Sequence, residues 1–503
     1  MKNDILTAAR QAEQERGAAI DDDARPVFHL SPYSGWLNDP NGFSFYKGEY
    51  HLFYQYNPYD SCWDTMHWGH AVSKDLLDWK YLPAALAPDT PWDVGGCFSG
   101  SAAELSDGRQ LLMYTGLRRP VNEEEAAEAA SYGKEYLQIQ NLAIGDGRDY
   151  EKYGNNPVIG SPDVPQGMSR VEFRDPKIIR RKDGTLVALM TCMNEDGNGE
   201  ILMYKSTDGF SWSFWKTLAK NDGKFGRMWE CPDFFELDGK WLLLVSPMEM
   251  KPEGLEYHNG FGCMVLAGEY DDEKGIFVPD FDQSVDYGID FYAAQTMLAP
   301  DGRRIMIAWM QNWDTCLMRE QSKPWAGQMT LPRELSFKDG RLYQRPIREI
   351  EQHFTNIVSY ENVPVSDEIS LYGIEGRVVD LDITVRPAPG EPLYRKFAVW
   401  FAMDQENHSA VRFNPYDGTV KIDRKYSGSR KAIVHQRRCL VRESMDGNIR
   451  IRIILDRYSF EVFINDGRYV MTAAIFTDVH ANGISFRVEG NAIMDVTKRD
   501  IRI

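Results

Sequence analysis

One short pattern recurs five times along the chain: a turn ending in glycine, then an extended run of apolar residues. It appears as KGEYHLFYQY at Gly48, DGRQLLMYTG at Gly108, DGTLVALMTC at Gly184, DGKWLLLVSP at Gly239 and DGRRIMIAWM at Gly302. Asp-Gly between two strand-like runs predicts a β-hairpin, because glycine accepts the positive φ that such turns need. Successive glycines lie 60, 76, 55 and 63 residues apart, each interval suited to one four-stranded antiparallel unit with loops. Five such units predict a five-bladed β-propeller. A second fragment agrees: SKDLLDWKYL from Ser73 and STDGFSWSFWKTL from Ser206 share S-x-D-x-x-x-W, 25 and 22 residues beyond their hairpin glycines. They are expected at the same place in two blades.

From about residue 350 the texture changes. RIRIILDRYSFEVFI and RYVMTAAIF alternate apolar and polar positions over short strands, with Asp446-Gly447 and Asp466-Gly467 as turns. This predicts an antiparallel β-sandwich. At the other end, MKNDILTAARQAEQERG spaces Ile5, Ala8, Ala9 and Ala12 along one face of a short amphipathic helix. It lacks the apolar stretch and small-residue cleavage site of a secretory signal. The expected organisation is all-β: a helical extension over 1–25, a propeller over 26–345, a linker over 346–360 and a sandwich over 361–503.

Counting back nine residues from each hairpin glycine gives Asp39 in WLNDPNG, Ser99 in CFSGS, Asp175 in FRDPK and Glu230 in WECPDFF. The fifth count reaches Ala293 in DFYAAQ, with Asp290 and Tyr292 nearby. In a propeller, equivalent positions on the innermost strands converge at one mouth of the central channel. Asp39, Asp175 and Glu230 would then share one small volume, and like charges that close shift one another's pKa values. Paired carboxylates flanking a bond are the apparatus of glycoside hydrolysis. Taken singly, Asp39-Pro40 reads as a turn and Arg174-Asp175 as an ordinary ion pair. The shared register sets them apart.

Composition narrows the function further. With 57 Lys+Arg against 75 Asp+Glu, the net charge is −18, which argues against nucleic-acid or anionic-membrane binding through a general basic field. No run approaches the roughly 20 apolar residues of a membrane span. Seven cysteines, an odd number without a C-x-x-C pair, fit reduced thiols in the cytoplasm better than a disulfide framework or a zinc site. His29, His67 and His70 have no acidic or Cys partner at ligand spacing and read as structural. Nothing calls for a metal or cofactor. The 12% aromatic content fits a sugar-binding cleft or an all-β core equally.

The motifs WLNDPNG (36–42), QYNP (55–58), WGH (68–70), FSGS (98–101), RDP (174–176), ECP (230–232), WAG (325–327) and DRYSFEVFINDG (456–467) together resemble glycoside hydrolase family 32, the family of invertases, levanases, inulinases and sucrose-6-phosphate hydrolases. The resemblance runs from about residue 26 to the C-terminus. It implies a propeller joined to a sandwich, no cofactor, and a retaining β-fructofuranosidase. Asp39 would then be the nucleophile, Glu230 the acid/base, and Asp175, with Arg174 beside it, the group that holds fructose hydroxyls. Asn38, Gln55 and Ser99 would supply hydrogen bonds, and Trp36, Trp63, Phe98 and Trp325 apolar walls. Retention requires the Asp39 and Glu230 carboxyls roughly 5–5.5 Å apart.

The expected substrates are sucrose and short fructo-oligosaccharides. Sucrose 6-phosphate is the alternative, and a fructosyltransferase would use the same acids. An inverting arabinan hydrolase lacks the WLNDPNG motif and the sandwich, and a catalytically dead sugar binder would have lost one of the acids. The insertion PVNEEEAAEAASYGKE (120–135) reads as a short helix or lid near the channel mouth that would restrict leaving-group size, or else as a solvated loop, and oligomeric state is left open.

Overall fold

All five predicted hairpins form, for the same local reason. Gly48, Gly108, Gly184, Gly239 and Gly302 turn their strands with φ between 82° and 87°. An added Cβ would meet nothing within 4 Å at any of them, so backbone angle rather than crowding selects glycine there. The computed structural model describes residues 4–316, 324–428 and 434–503; residues 1–3 of the expected extension lie outside them.

Each hairpin opens one antiparallel sheet. The first sheet runs through Gly35–Tyr46, Glu49–Asn57, His67–Ser73 and Trp79–Leu86; the second through Cys97–Glu104, Gln110–Arg118, Leu137–Gly145 and Tyr150–Lys152. Met168–Arg180, Leu186–Asn194, Gly199–Ser206 and Ser213–Lys220 make the third. Trp229–Leu237, Lys240–Pro247, Met264–Asp271 and Ile276–Ser284 make the fourth, and Tyr292–Leu298, Arg304–Trp309, Arg333–Lys338 and Arg341–Pro346 the fifth. The opening strand of each sheet touches that of the next, and Tyr292–Leu298 touches Gly35–Tyr46, so the five opening strands contact one another in a closed cycle. The short strand Trp325–Ala326 adds in parallel to the first sheet, pairing Gly35 with Trp325 and Trp36 with Ala326. That gives the first sheet five strands rather than four.

Apolar residues fill the space between neighbouring sheets. Leu189, Ile201 and Met203 of the third, for example, pack with Phe234, Leu243 and Val245 of the fourth. Strands covered on both faces need near-continuous apolar runs, which is why LVALM and LLLV follow their hairpins. The repeated S-x-D fragment forms one turn in two sheets. Ser73 and Asp75 accept the N–H groups of Leu76, Leu77 and Asp78, as Ser206 and Asp208 accept those of Gly209, Phe210 and Ser211. Leu76 takes φ 67° where the equivalent residue is Gly209 at 82°.

Beyond the ring, two six-stranded antiparallel sheets enclose one core. One contains Phe354–Val365, Val379–Pro387, Ile449–Asp456, Ser459–Ile464, Tyr469–Ala474 and Ala492–Ile501. The other contains Glu368–Ile369, Lys396–Met403, Ser409–Asn414, Thr419–Asp423, Gln436–Leu440 and Gly483–Glu489. The first faces the ring across a buried charge network. Arg333 bonds Glu461 and Asp286 there, and His29 sits between Asp456 at 2.8 Å and Glu461 at 3.0 Å. Burial pulls the His29 imidazole down, but the two carboxylates override it and push it up to about 9. His29 is thus structural. His67 and His70 are buried and held neutral by that burial.

The N-terminal helix forms over Asp4–Gly17, but not on the expected face. Ile5 is 44% exposed, and the buried residues are Ala9, Glu13 and Gly17, spaced by four. Small side chains let the helix lie close to the first sheet, with Gly17 against the Tyr33 ring. Glu13 accepts the Ala84 N–H at 2.8 Å while Arg10 donates to the Ala84 carbonyl. One polar docking contact therefore outweighs the apolar spacing. No helix among the described residues is long and apolar enough to cross a membrane.

Candidate active site

The opening strands all break register at the same height. Two residues of the opening strand face one of its partner between Leu37 and Pro40, Cys97 and Gly100, Arg174 and Lys177, Glu230 and Asp233, and Tyr292 and Gln295. Each is a β-bulge, which bends a strand and re-aims its side chains. The nine-residue count lands inside the bulge at Asp39, Ser99, Asp175 and Ala293, and on its first flank at Glu230. In three consecutive sheets the bulge also holds a residue in left-handed conformation: Asp175 at φ 63°, Cys231 at 48° and Ala293 at 56°. Such residues cost of order 1–3 kcal/mol and persist where the surroundings fix them.

The bulges bring the acids together around Cys231. Its backbone N–H donates to Asp175 Oδ2 at 2.9 Å, and its sulfur lies 3.7 Å from that oxygen and 3.6 Å from Asp39 Oδ2. The thiol contacts Asp39 and Asp175 rather than Glu230. Burial holds it neutral, with its pKa well above the usual value, so it serves as a weak donor between two carboxyls. Asp39 also accepts Ser99 Oγ–H at 2.7 Å and Asn38 Nδ2–H at 3.1 Å. Trp36 donates its indole N–H to Asn38 Oδ1 at 2.8 Å, which fixes the amide so that its NH2 faces Asp39.

Glu230 is gripped from both sides. Arg174 donates through Nε and Nη2 to Oε1 at 3.1 and 3.0 Å, and the Tyr292 hydroxyl donates to Oε2 at 2.6 Å. Burial holds the Tyr292 hydroxyl neutral, with Glu230 adding to it. Arg174 also binds Glu172 and lies 3.9 Å from Asp175 Oδ2. One guanidinium therefore serves three carboxyls, with Asp39 a fourth close by. Burial and the charge on Glu230 raise Asp39 above the usual carboxylate range. Burial raises Asp175 as well; Arg174 opposes it, Glu230 and Asp39 add to it, and the carboxyl reaches about 7. So crowded a cluster retains a proton near neutral pH, a property of the group rather than of one residue.

A cavity of about 540 Å3 lies over Glu230 and Arg174, within the range of small-molecule sites. Trp63, 47% exposed, stands at its edge with its ring 6.1 Å from Phe98 and 6.4 Å from Trp313. Lys134, Glu135 and Tyr136 line it as well. They end the 120–135 insertion, whose helix, Glu123–Ser131, is capped by Asn122 and pinned by the Arg118–Glu125 and Arg170–Glu128 pairs.

Not every expected wall residue faces this cavity. Trp36 is 2% exposed, packs edge-on against Trp309 and acts through Asn38. Gln55 is buried and donates to the Cys97 carbonyl at 3.0 Å, steadying the strand that carries Phe98 and Ser99. Trp325 is buried; it donates to the Ala24 carbonyl and packs on Tyr458, joining the N-terminal segment to the ring. Conversely, Tyr292, Glu172 and Gln138 contribute contacts that motif reading did not assign. Glu172 had a usable signal: two residues before Arg174, it lies on the same strand face. Gln138, which accepts the Phe173 N–H at 2.7 Å, comes from a strand with no motif.

Known proteins share this architecture. A family profile described as glycosyl hydrolases family 32 N-terminal domain matches residues 29–346, and one for the family 32 C-terminal part matches residues 347–501. The raffinose invertase of Escherichia coli is 34% identical over 502 residues, covering 97% of each chain. A sucrose-6-phosphate hydrolase of Zymomonas mobilis is 33% identical over 510 residues, covering 98% of this chain and 95% of its own. Among solved structures, the β-fructofuranosidase of Bombyx mori superimposes with a TM-score of 0.82 at 33% identity, covering 99% of this chain and 98% of that one.

Proposed function

The chain belongs to glycosyl hydrolase family 32, and from that premise we propose that it releases terminal β-D-fructofuranosyl residues from sucrose and short fructo-oligosaccharides through a covalent fructosyl-enzyme. One observation carries the reading: Asp39, Asp175 and Glu230, from three different sheets, meet around Cys231. Asp39 attacks the anomeric carbon, its oxygens aimed by Ser99 and Asn38. Glu230 passes a proton from the crowded cluster to the leaving oxygen, then takes one from the incoming water. Arg174 and Tyr292 orient it for both steps. Asp175, fixed by the Cys231 N–H, receives fructose hydroxyls and stabilises the oxocarbenium-like charge. Retention requires the Asp39 and Glu230 carboxyls roughly 5–5.5 Å apart.

The same reading takes residues 26–345 as a five-bladed propeller bearing the site, 346–360 as linker and 361–503 as sandwich, with 1–25 as a docked extension. The cycle of touching opening strands supports it. The unbridged thiols of Cys97, Cys192, Cys231, Cys263 and Cys439 suit a cytoplasmic setting. Sucrose 6-phosphate, the substrate named for the Zymomonas relative, is the second candidate. The cavity opposes it, since Asp64, Glu135, Glu172 and Glu230 line it against only Lys134 and Arg174, and a phosphate dianion meets a surplus of like charge.

Free fructose released from sucrose by the purified protein, with Asp39→Asn alongside, tests the assignment. Release by wild type alone supports it. Equal release by both proteins removes Asp39 from the chemistry, and release only from sucrose 6-phosphate reverses the substrate order.

A further inference from the structure

The outer face of one sandwich sheet carries a row of cations that fructoside cleavage does not use. Cross-strand pairing sets Arg487 opposite Ala398, Ala398 opposite Arg412, Arg412 opposite Lys421, and Lys421 opposite Arg438. Five adjacent strands thus present four cations around one alanine. The alternate residues Phe397, Val399, Val411, Phe413, Val420, Ile422 and Phe486 point into the core, so the row faces outward. Like charges directly opposite one another destabilise a sheet, and here they stand three in succession at Arg412, Lys421 and Arg438, in a protein of net charge −18.

The nearby acids do not balance the row. Asp423 is taken by Arg412 and Gln436, Glu489 by Lys396 at 2.7 Å, and Asp417 by Asn414 and Thr419. Arg438 and Arg487 are exposed and make no ion pair among the described residues. Burial lowers the Lys421 ammonium, with Arg412, Arg438 and Lys396 adding to the effect and Asp423, 4.0 Å away, opposing it.

The surface is also concave. A groove of about 440 Å3 is lined by these side chains together with Lys396, Trp400, Asp417 and Glu489. Strands lie about 4.8 Å apart, so the backbones bearing Arg487 and Arg412 are roughly 10 Å apart across Ala398. Arg412 is held by Asp423, but Lys421 and Arg438 stand directly opposite one another on adjacent strands, with Arg487 across the groove, and such neighbouring cations are the donors that bind phosphate.

We propose that this groove binds the phosphate group of a small phosphorylated sugar, at a site separate from the three acids. The groove is too small for a folded partner, and its unpaired groups are donors, which matches phosphate oxygens and sugar hydroxyls. The site is independent of the fructosidase reading and stands or falls without it.

Calorimetric titration of the full-length protein with glucose 6-phosphate, inorganic phosphate and glucose tests it, using wild type and an Arg438→Ala/Arg487→Ala variant. Both substitutions are on exposed residues, and matching thermal melts of the two proteins would verify the fold. The expected result is binding of the phosphorylated probes but not of glucose, weakened at least roughly tenfold in the variant, with sucrose cleavage unchanged. Tighter binding of glucose 6-phosphate than of phosphate says that the sugar is also recognised; equal binding says that phosphate alone is the ligand, and both outcomes support the site. Equal affinity of wild type and variant, binding of glucose as tight as its phosphate, or no heat with either phosphorylated probe overturns it. So does variant-sensitive binding of heparin far tighter than of either small probe, which assigns the surface to a polyanionic macromolecule.

Discussion

Ser99→Ala isolates one hydrogen bond to the proposed nucleophile. Ser99 Oγ–H donates to Asp39 Oδ2 at 2.7 Å from a buried position, and alanine removes that donor with almost no change in volume. A hydrogen bond to a charged group contributes about 1.5–3 kcal/mol, and one pKa unit corresponds to 1.36 kcal/mol. Losing it therefore raises Asp39 further, above where burial and Glu230 already hold it, by a free energy of that size. Asn38 and the Cys231 thiol remain as donors, which places the change near the lower end of that range. Asp39 must be ionised to attack. The acid limb of kcat/KM against pH therefore moves to higher pH by about one unit, and activity on that limb falls about tenfold while the plateau changes little. Initial rates of fructose release across a pH series read this directly. An unmoved limb, or a uniform fall at every pH, would show that Ser99 only shapes the pocket and would refute the charge argument.

Three other outcomes follow from the same geometry. Arg174→Ala leaves Glu172, Asp175 and Glu230 without their shared cation; breaking a buried pair costs about 3–5 kcal/mol, so fructose release should fall at least roughly a hundredfold, and Arg174→Lys should recover little because one ammonium cannot fork onto Glu230 while holding Glu172. His29 is raised to about 9 from its ordinary 6.5, so its contribution to stability is complete below pH 6.5 and is lost as pH climbs through 9; melting temperatures should fall over that window in wild type and stay flatter in His29→Gln. Glu135→Lys reverses a charge at the cavity edge and should shift preference from sucrose toward sucrose 6-phosphate by roughly threefold to tenfold at low salt, shrinking as ionic strength rises.

The readable part of this protein is the part in which backbone geometry restricts residue choice. A hairpin at φ near 85° admits glycine and little else, so five glycines marked five sheets, and a fixed distance from each marked the bulge that holds the acids. The repeated S-x-D turn was legible for the same reason, since three consecutive N–H groups need those two side chains. Aromatic residues carried no such restriction. Trp36, Trp63 and Trp325 look alike in sequence, yet one orients Asn38, one stands at the cavity edge and one secures the N-terminal segment. Position alone does not say which neighbour a large apolar side chain meets. Tyr292 lay one residue from the fifth count, but a tyrosine beside Ala293 in a strand has no signature separating a donor to Glu230 from core packing. The N-terminal helix misled for a related reason: a single carboxylate taking a sheet-edge N–H decided the buried face, and hydrophobic spacing does not register such a contact.

The charge count at the site explains why the bulges are necessary. Glu172, Asp175 and Glu230 surround a single guanidinium with Asp39 beside them across Cys231, an arrangement that opposes folding unless protons or a ligand relieve it. A regular strand would let these side chains relax apart along the pleat. The bulge removes that freedom, because an extra residue in each opening strand is trapped between neighbours that themselves close the cycle. Three left-handed residues at Asp175, Cys231 and Ala293 mark where the trapped strain collects. Closure of the cycle and destabilisation of the site are therefore linked. Loosening the join, for instance by disrupting the pairing of Trp36 with Ala326 that stitches the last segment to the first sheet, should let the carboxyls separate and lower the Asp175 carboxyl from about 7 toward its ordinary value. Asp39, raised in part by the charge on Glu230, should fall with it, so the acid limb of the rate profile should move to lower pH as activity falls. An Ala326→Pro variant, which removes the backbone N–H at that pairing, tests this: loss of activity with an unshifted acid limb would mean that the acids are held by their own sheets and that the closed cycle contributes only stability.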